Sequence, residues 1–224
     1  MTMGGGLRPS LQAMWLCALG LGAAAQSAAA TLEARAVDNR GQPVAEVAIY
    51  AVPRDAASAP THAGATAVMD QQHNAFVPHV LVVQAGTSVL FPNSDTVSHH
   101  VYSFSEAKSF ELGLYKGTAY PPLVFDKPGV VVLGCNIHDG MLGYIVVVDT
   151  PHFALTDDSG RALLESLPPG TYDVHAWTPR AKPADAPSPA TVTIGAGGQT
   201  VTFTTGKLQP AHDHGGAGLT WQRY

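Results

Sequence analysis

Short runs in which apolar and polar residues alternate, or in which β-branched and aromatic residues dominate, recur along the chain from residue 31 onward. Such runs, separated by turn residues, predict β-strands. The predicted strands are Thr31–Val37, Val44–Val52, His79–Gln84, Thr87–Phe91, His99–Phe104, Val130–Leu133, Tyr144–Val148, Tyr172–Trp177, Thr191–Ile194 and Thr200–Thr204. One helical turn is predicted near Ser105–Lys108, and Lys108–Lys116, which mixes charges and aromatics, is interpreted as a connecting loop. Many short strands predict an all-β fold of β-sandwiches.

Turn motifs of the form D-x-x-G occur near both ends of the strand-rich region, at Asp38–Gly41 and Asp157–Gly160. The first motif continues as D-x-x-G-x-P, and the second lies in the pattern T-D-x-x-G…L-P-x-G-x-Y. In these patterns residues 31–52 and 153–177 resemble the transthyretin-like or carboxypeptidase-regulatory-like sandwich. The resemblance implies a small second sandwich beside the one expected in the middle of the chain.

This resemblance suggests how the domains are organised. The first strands of the transthyretin-like sandwich are expected in residues 31–64 and its remaining strands in residues 150–206. Residues 65–149 then form another sandwich, inserted into the first. Two sandwiches in tandem are the simpler alternative. Residues 207–224 are predicted to be a flexible tail.

The first part of the chain has the features of a secretory signal peptide. Arg8 is its one charged residue, the apolar stretch Leu11–Ala25 follows, and small residues precede position 31. These features predict a signal peptide over residues 1–30, cleaved after Ala30 or alternatively after Ala25. The apolar stretch is too short for a membrane span. We therefore expect an exported, periplasmic protein whose mature chain has no membrane span.

Charge and cysteine content narrow the possible functions. The chain carries 12 Lys and Arg against 17 Asp and Glu, a formal charge of −5, and the absence of a basic patch argues against a nucleic-acid partner. Removing the signal peptide also removes Cys17, one of two cysteines. The remaining Cys135 is then a lone thiol in an oxidising compartment, where it cannot form an internal disulfide. A bound metal and a buried inert thiol are the two explanations.

A candidate metal motif surrounds this cysteine. Residues 134–144 read GCNIHDGMLGY, so Cys135, His138 and Met141 follow one another as C-x₂-H-x₂-M between two predicted strands. A thiolate, an imidazole and a thioether on one short loop can converge on a single ion. Blue-copper sites use one thiolate, two imidazoles and a weak axial Met. Zinc prefers further Cys, His or carboxylate ligands.

The second imidazole is expected from an upstream strand, where His99 and His100 are adjacent and therefore face opposite ways. Residues 91–101, FPNSDTVSHHV, together with the C-x₂-H-x₂-M loop, resemble the cupredoxin family, particularly its plastocyanin-like and amicyanin-like members. The resemblance covers roughly residues 70–149, and the whole layout also looks like the cupredoxin-containing "methylamine utilisation" proteins. It implies a Greek-key sandwich with one type 1 copper, and the register from Asn93 favours His99. The implied ligands are His99, Cys135, His138 and Met141.

The resemblance implies a one-electron carrier that passes electrons through His138 to an unidentified redox partner protein. One alternative is a periplasmic copper chaperone or buffer, which His100 and the tail residues His212 and His214 fit slightly better. Another is a non-metal binding module in which the cupredoxin fold is structural. We expect no enzymatic activity, because multicopper oxidases need further H-x-H clusters and the sequence contains no Ser–His–Asp spacing or phosphate-binding loop.

Overall fold

The computed structural model describes residues 1–2, 30–55, 64–195 and 197–210. Residues 3–29 of the predicted signal peptide, and His212 and His214 of the predicted tail, lie outside these ranges. Within them the chain is all-β, with one short 3-10 turn (Pro183–Asp185), which confirms the predicted fold class. Among the described residues, no helix is long and apolar enough to cross a membrane.

Seventeen strands are found in the part of the chain that the structure describes. They are β1 (Ala30–Val37), β2 (Ala48–Pro53), β3 (Thr66–Val68), β4 (Asp70–Gln72), β5 (Ala75–Val77), β6 (Val80–Gln84), β7 (Thr87–Leu90), β8 (His99–Ser105), β9 (Lys108–Tyr115), β10 (Leu123–Phe125), β11 (Gly129–Gly134), β12 (Leu142–Val148), β13 (Phe153–Leu155), β14 (Arg161–Leu167), β15 (Gly170–Trp177), β16 (Ala190–Ile194) and β17 (Gln199–Thr204). All ten strands predicted from the sequence are present, with boundaries that differ by a few residues.

The middle of the chain forms one sandwich. A five-stranded sheet of order β6-β12-β11-β8-β9 faces a three-stranded sheet of order β10-β7-β3, and the hairpin β4-β5 lies beside them. The inward side chains form one continuous apolar cluster, which also contains Cys135 and Met141. Its fully buried members include Phe76, Val89, Val101, Phe125, Leu133 and Ile145. Two residues of the candidate metal motif are therefore part of the packed core of this sandwich.

The strands before and after this sandwich pair with one another. β1 pairs with β14 and β17, and β2 pairs with β13 and β15, giving sheets of order β14-β1-β17 and β13-β2-β15-β16. These two sheets enclose a separate apolar cluster that includes Leu32, Ile49, Leu167 and Ile194. Residues far apart in sequence thus complete the same sheets.

The two sandwiches contact each other through a third apolar cluster. Ala48 of β2 is buried in it against Val80 of β6 and Val146 of β12. Around its edge, the rings of Tyr144 and Trp177 lie 5.6 Å apart. The part of the five-stranded sheet formed by β6 and β12 is covered in this way.

The region after β8 differs from the sequence prediction. The helical turn predicted near Ser105–Lys108 is wrong, because β8 and β9 are joined there by a tight hairpin turn. The loop interpretation of Lys108–Lys116 is also wrong, because β9 is a strand paired with β8. As an edge strand it buries Leu112 but exposes Glu111, and this mixture of charge and apolar residues is what resembled a loop.

Candidate metal centre

Two loops meet at one end of the five-stranded sheet. β11 runs antiparallel to β8, and Gly134 at the end of β11 pairs with Tyr102. The loop that follows β11 therefore lies near the start of β8, where His99 is the first residue. A Cβ atom at position 134 would lie 2.7 Å from the Tyr102 ring, so a glycine here allows the ring to pack directly beside the residue before Cys135.

Three of the four predicted ligands come together at this meeting point. The Nδ1 atoms of His99 and His138 are 3.1 Å apart. The Sγ atom of Cys135 lies 3.9 Å from the first of these nitrogens and 3.7 Å from the second. In the described ranges this is the one group of metal-binding side chains whose ligand atoms all lie within 4.8 Å of one another.

The size of this triangle suits a metal ion. Three atoms with these separations lie on a circle of radius about 2.1 Å, close to the ~2.0–2.1 Å metal–nitrogen and ~2.3 Å metal–sulfur distances of protein sites. Without an ion, two ring nitrogens and a sulfur would face one another with few hydrogens to share between them. The donor set and its spacing therefore fit a soft or intermediate metal.

Met141, the fourth predicted ligand, follows on the same loop. It is buried within the apolar cluster that contains Cys135. Its backbone N–H donates to the carbonyl of His138 at 3.2 Å, and Gly140 between them has a φ of 80°. A positive φ at this position is what a type II turn requires, so the glycine lets the loop fold back toward the core. Met141 thereby stays in the buried cluster that also contains Cys135.

A carboxylate that the sequence prediction did not include supports His99. Oδ2 of Asp95 lies 3.0 Å from Nε2 of His99, on the far side of the ring from the triangle. Burial alone would raise the pKa of Asp95, but hydrogen bonds from Asn74, His99 and Thr96 outweigh it and lower the pKa to about 2. The sequence signal for this contact was the aspartate four residues before the histidine.

Asn93 holds the loop before His99 in place. Its amide donates to the carbonyls of Val97 and Tyr115, at 3.0 and 2.8 Å, and its Oδ1 accepts the N–H of Asp95 at 3.0 Å. Burial raises the pKa of Tyr115 to about 12, and its hydroxyl donates to the carbonyl of Phe91 at 2.6 Å. Asn93 thus ties the loop before His99 to the end of β9.

The ligands differ in their access to solvent. His99 is fully buried and Cys135 is buried, whereas His138 is half-buried. Ile137, next to it on the loop, is 54% exposed, and Val97 on the neighbouring loop is 42% exposed. His138 is therefore the ring that links the triangle to the protein surface.

The adjacent His100 is not part of the cluster. Its Nε2 lies 2.9 Å from Oε1 of Glu111, on the face of β8 opposite to His99. Other histidines are engaged elsewhere: His79 lies 3.1 Å from Glu46, and the ring of His175 stacks on Tyr50. Of the two histidines that the sequence left open, His99 is the one whose Nδ1 faces Cys135 and His138.

No protein-family model matches the chain, and no curated protein matches it by sequence. One similar solved structure is a purple cupredoxin from Nitrosopumilus maritimus, with 22% identity over 38% of this chain and 99% of that chain and a TM-score of 0.32. A reduced Cu(I) amicyanin variant matches with 21% identity, 44% and 99% coverage and a TM-score of 0.34. A pseudoazurin from Sinorhizobium matches with 24% identity, 38% and 76% coverage and a TM-score of 0.30. These similarities are to cupredoxins and cover less than half of this chain, so the site has to carry the functional proposal.

Proposed function

We propose that the chain is a type 1 copper protein that carries single electrons, with His99, Cys135, His138 and Met141 as the ligands. The observation that carries the proposal is the triangle of two Nδ1 atoms and one Sγ atom, with its radius of about 2.1 Å. One thiolate and two imidazoles with a methionine nearby are the ligands of electron-transfer copper sites. Zinc is less well suited, because a thioether serves it poorly.

Copper in such a site alternates between Cu(II) and Cu(I) by exchange of one electron. Burial of Cys135 and His99 keeps water away from the thiolate and the ring. The strands and the hydrogen-bonded loops hold the ligand atoms in one arrangement, so little movement has to accompany the exchange. The half-buried His138, with the exposed Ile137 beside it on the loop, offers the path to a redox partner protein of unknown identity.

We further propose that the protein works in the periplasm, because the first 30 residues have the pattern of a signal peptide. In that oxidising compartment a bound metal would protect the lone Cys135 from oxidation. We expect no catalysis, because Met141 as a fourth ligand would leave no position at the ion for a substrate.

Two other functions would use the same chain differently. A copper chaperone or buffer would exchange Cu(I) rapidly with a chelator, whereas an electron carrier should release it slowly. His100 does not supply a further ligand for such a chaperone, because it faces away from the site and pairs with Glu111. A binding module without metal would keep its stability and partner binding when Cys135 is replaced by serine.

The decisive experiment is visible and EPR spectroscopy after addition of one equivalent of Cu(II). We expect an intense thiolate-to-copper charge-transfer band and a narrow hyperfine splitting in the wild type, and their loss in Cys135→Ser and His99→Ala. His100→Ala is the matched control, since it removes the neighbouring imidazole from the opposite face and should keep both signals. A colourless wild-type protein, or equal losses in the two histidine variants, would refute the assignment.

A further inference from the structure

The carboxylate of Asp95 lies next to the candidate metal centre without belonging to the ligand set. Its side chain is only 10% exposed. Oδ2 lies 3.0 Å from His99 Nε2 and also accepts the backbone N–H of Asn74 at 2.8 Å. Oδ1 accepts the backbone N–H of Thr96 at 2.7 Å. Both carboxylate oxygens are therefore engaged, and the group is held in one orientation.

These contacts determine which nitrogen of His99 carries hydrogen. Backbone N–H groups can only donate, and an ionised carboxylate can only accept. Nε2 of His99 therefore has to be the donor toward Asp95. In a neutral imidazole the other nitrogen then has a free lone pair. That nitrogen, Nδ1, is the one that faces Cys135 and His138.

The β4-β5 hairpin supports the carboxylate from the other side. Its two turn residues, His73 and Asn74, have φ angles of 53° and 59°, as a type I′ turn requires. This turn directs the Asn74 N–H toward Asp95. From β4, Oδ1 of Asp70 accepts the N–H of Ser94 at 3.2 Å. The hairpin is thus hydrogen-bonded to two consecutive residues, Ser94 and Asp95, of the loop that leads into His99.

We infer that Asp95 is a positioning residue, which fixes His99 with Nδ1 directed toward the metal and whose negative charge favours Cu(II) over Cu(I). The inference rests on the proposed function. A carboxylate bonded to a ligand histidine orients the ring and raises its basicity, and such partners change metal affinity by about 10- to 100-fold when removed. A negative charge beside the ring also stabilises the more highly charged ion.

Two substitutions separate these effects. Asp95→Asn keeps an oxygen that can accept from His99 but removes the charge. We expect its Cu(II) affinity to fall about tenfold relative to its Cu(I) affinity, which corresponds to a rise of about 59 mV in the one-electron potential. Asp95→Ala removes the acceptor as well, and its total copper affinity should fall by about 10- to 100-fold.

The experiment measures the copper potential and affinity of the wild type and both variants. Asp139→Asn is the matched control, because it removes an exposed carboxylate beside His138 that makes no hydrogen bond to His99. In addition, NMR of the labelled imidazole nitrogens in the metal-free proteins reports the tautomer of His99. The wild type and Asp95→Asn should show hydrogen on Nε2, and Asp95→Ala should show a mixture of tautomers.

The outcomes distinguish this inference from the copper proposal. If Asp95→Asn shifts the potential no more than Asp139→Asn, and Asp95→Ala keeps hydrogen on Nε2 of His99, the positioning role is overturned. If instead the wild type lacks the charge-transfer band, the copper proposal fails together with the predicted potential. The tautomer measurement in the metal-free protein then still decides whether Asp95 orients His99.

Discussion

Replacing Asn93 by alanine removes the side chain that joins the loop before His99 to the end of β9. The side chain makes three hydrogen bonds, to the carbonyls of Val97 and Tyr115 and to the N–H of Asp95. The backbone of Asn93 keeps its own pair of hydrogen bonds with Gly117 in the variant. The substitution therefore tests the side chain alone.

The cost follows from what each partner loses. The carbonyl of Tyr115 is bonded in a buried setting, and leaving such a group unpaired costs about 1–3 kcal/mol. The other two bonds are only partly buried, and each contributes about 0.5–1.5 kcal/mol. The free energy of unfolding should fall by about 3 kcal/mol in total. For a chain of this size this is a fall in Tm of about 6–12 °C.

Urea and thermal unfolding of the metal-free proteins would measure this change. Asn136→Ala is the matched control, because Asn136 is an exposed residue of the ligand loop. Its side chain makes no hydrogen bond with the described residues. Its replacement should change the free energy of unfolding by less than about 0.5 kcal/mol. We also expect Asn93→Asp to be at least as destabilising as Asn93→Ala, since a carboxylate oxygen would face two carbonyls. If Asn93→Ala were as stable as Asn136→Ala, the reasoning about this loop would be wrong.

Three further predictions concern other parts of the structure. Gly134→Ala should lower the free energy of unfolding by about 1–3 kcal/mol, because the new Cβ would lie 2.7 Å from the Tyr102 ring. Asp95 has a pKa lowered from 3.8 to about 2, so in the metal-free protein it stabilises the fold above pH 3.8 and this stability, about 2 kcal/mol, is lost as the pH falls toward 2. Val146→Ala should cost about 2 kcal/mol by opening the contact between the sandwiches, and should leave the copper spectrum unchanged.

Each of these has a control variant or an outcome that would contradict it. Gly195→Ala adds a methyl group where nothing lies within 4 Å, and should be nearly neutral in urea unfolding. Asp95→Asn should lack the part of the acid-induced loss that belongs to this carboxylate, and equal pH curves for the two proteins would contradict the assignment. An altered charge-transfer band in Val146→Ala would mean that the flanking sandwich influences the metal site directly.

Most of the strands could be predicted because their residues alternate on a half-buried surface or run as continuous apolar stretches. β3, β4, β5 and β10 could not, since each has three residues and shows no period. β9 was missed because an edge strand exposes polar residues at alternate positions, as a loop does. Length and exposure, rather than composition, account for these differences.

The candidate ligands could be named because their residue types have few other uses in that spacing, and the fold brings His99, Cys135 and His138 together. The support for His99 could not be predicted in the same way. Asp95 by itself is an ordinary turn residue, and its contact depends on a hairpin that ends at Asn74. The aspartate lies only four residues before His99, but the hydrogen bond from Asn74 that holds its carboxylate joins positions 21 residues apart and leaves no local pattern.

The pairing of β1 with β17 constrains the order in which the sheets can form. Leu32 of β1 is opposite Gln199 of β17, so this sheet cannot be completed until nearly the whole chain has been synthesised. The strands β3 to β12, in contrast, belong to one continuous segment and can close on themselves earlier. Tyr50 and Phe153 lie at the two ends of that segment and pair with each other. When the segment has folded, its ends are already close. The loss of chain entropy on bringing them together has then been offset by the contacts within the middle sandwich. We therefore expect the sandwich with the candidate metal centre to form first and to bring together the two chain segments that build the flanking one.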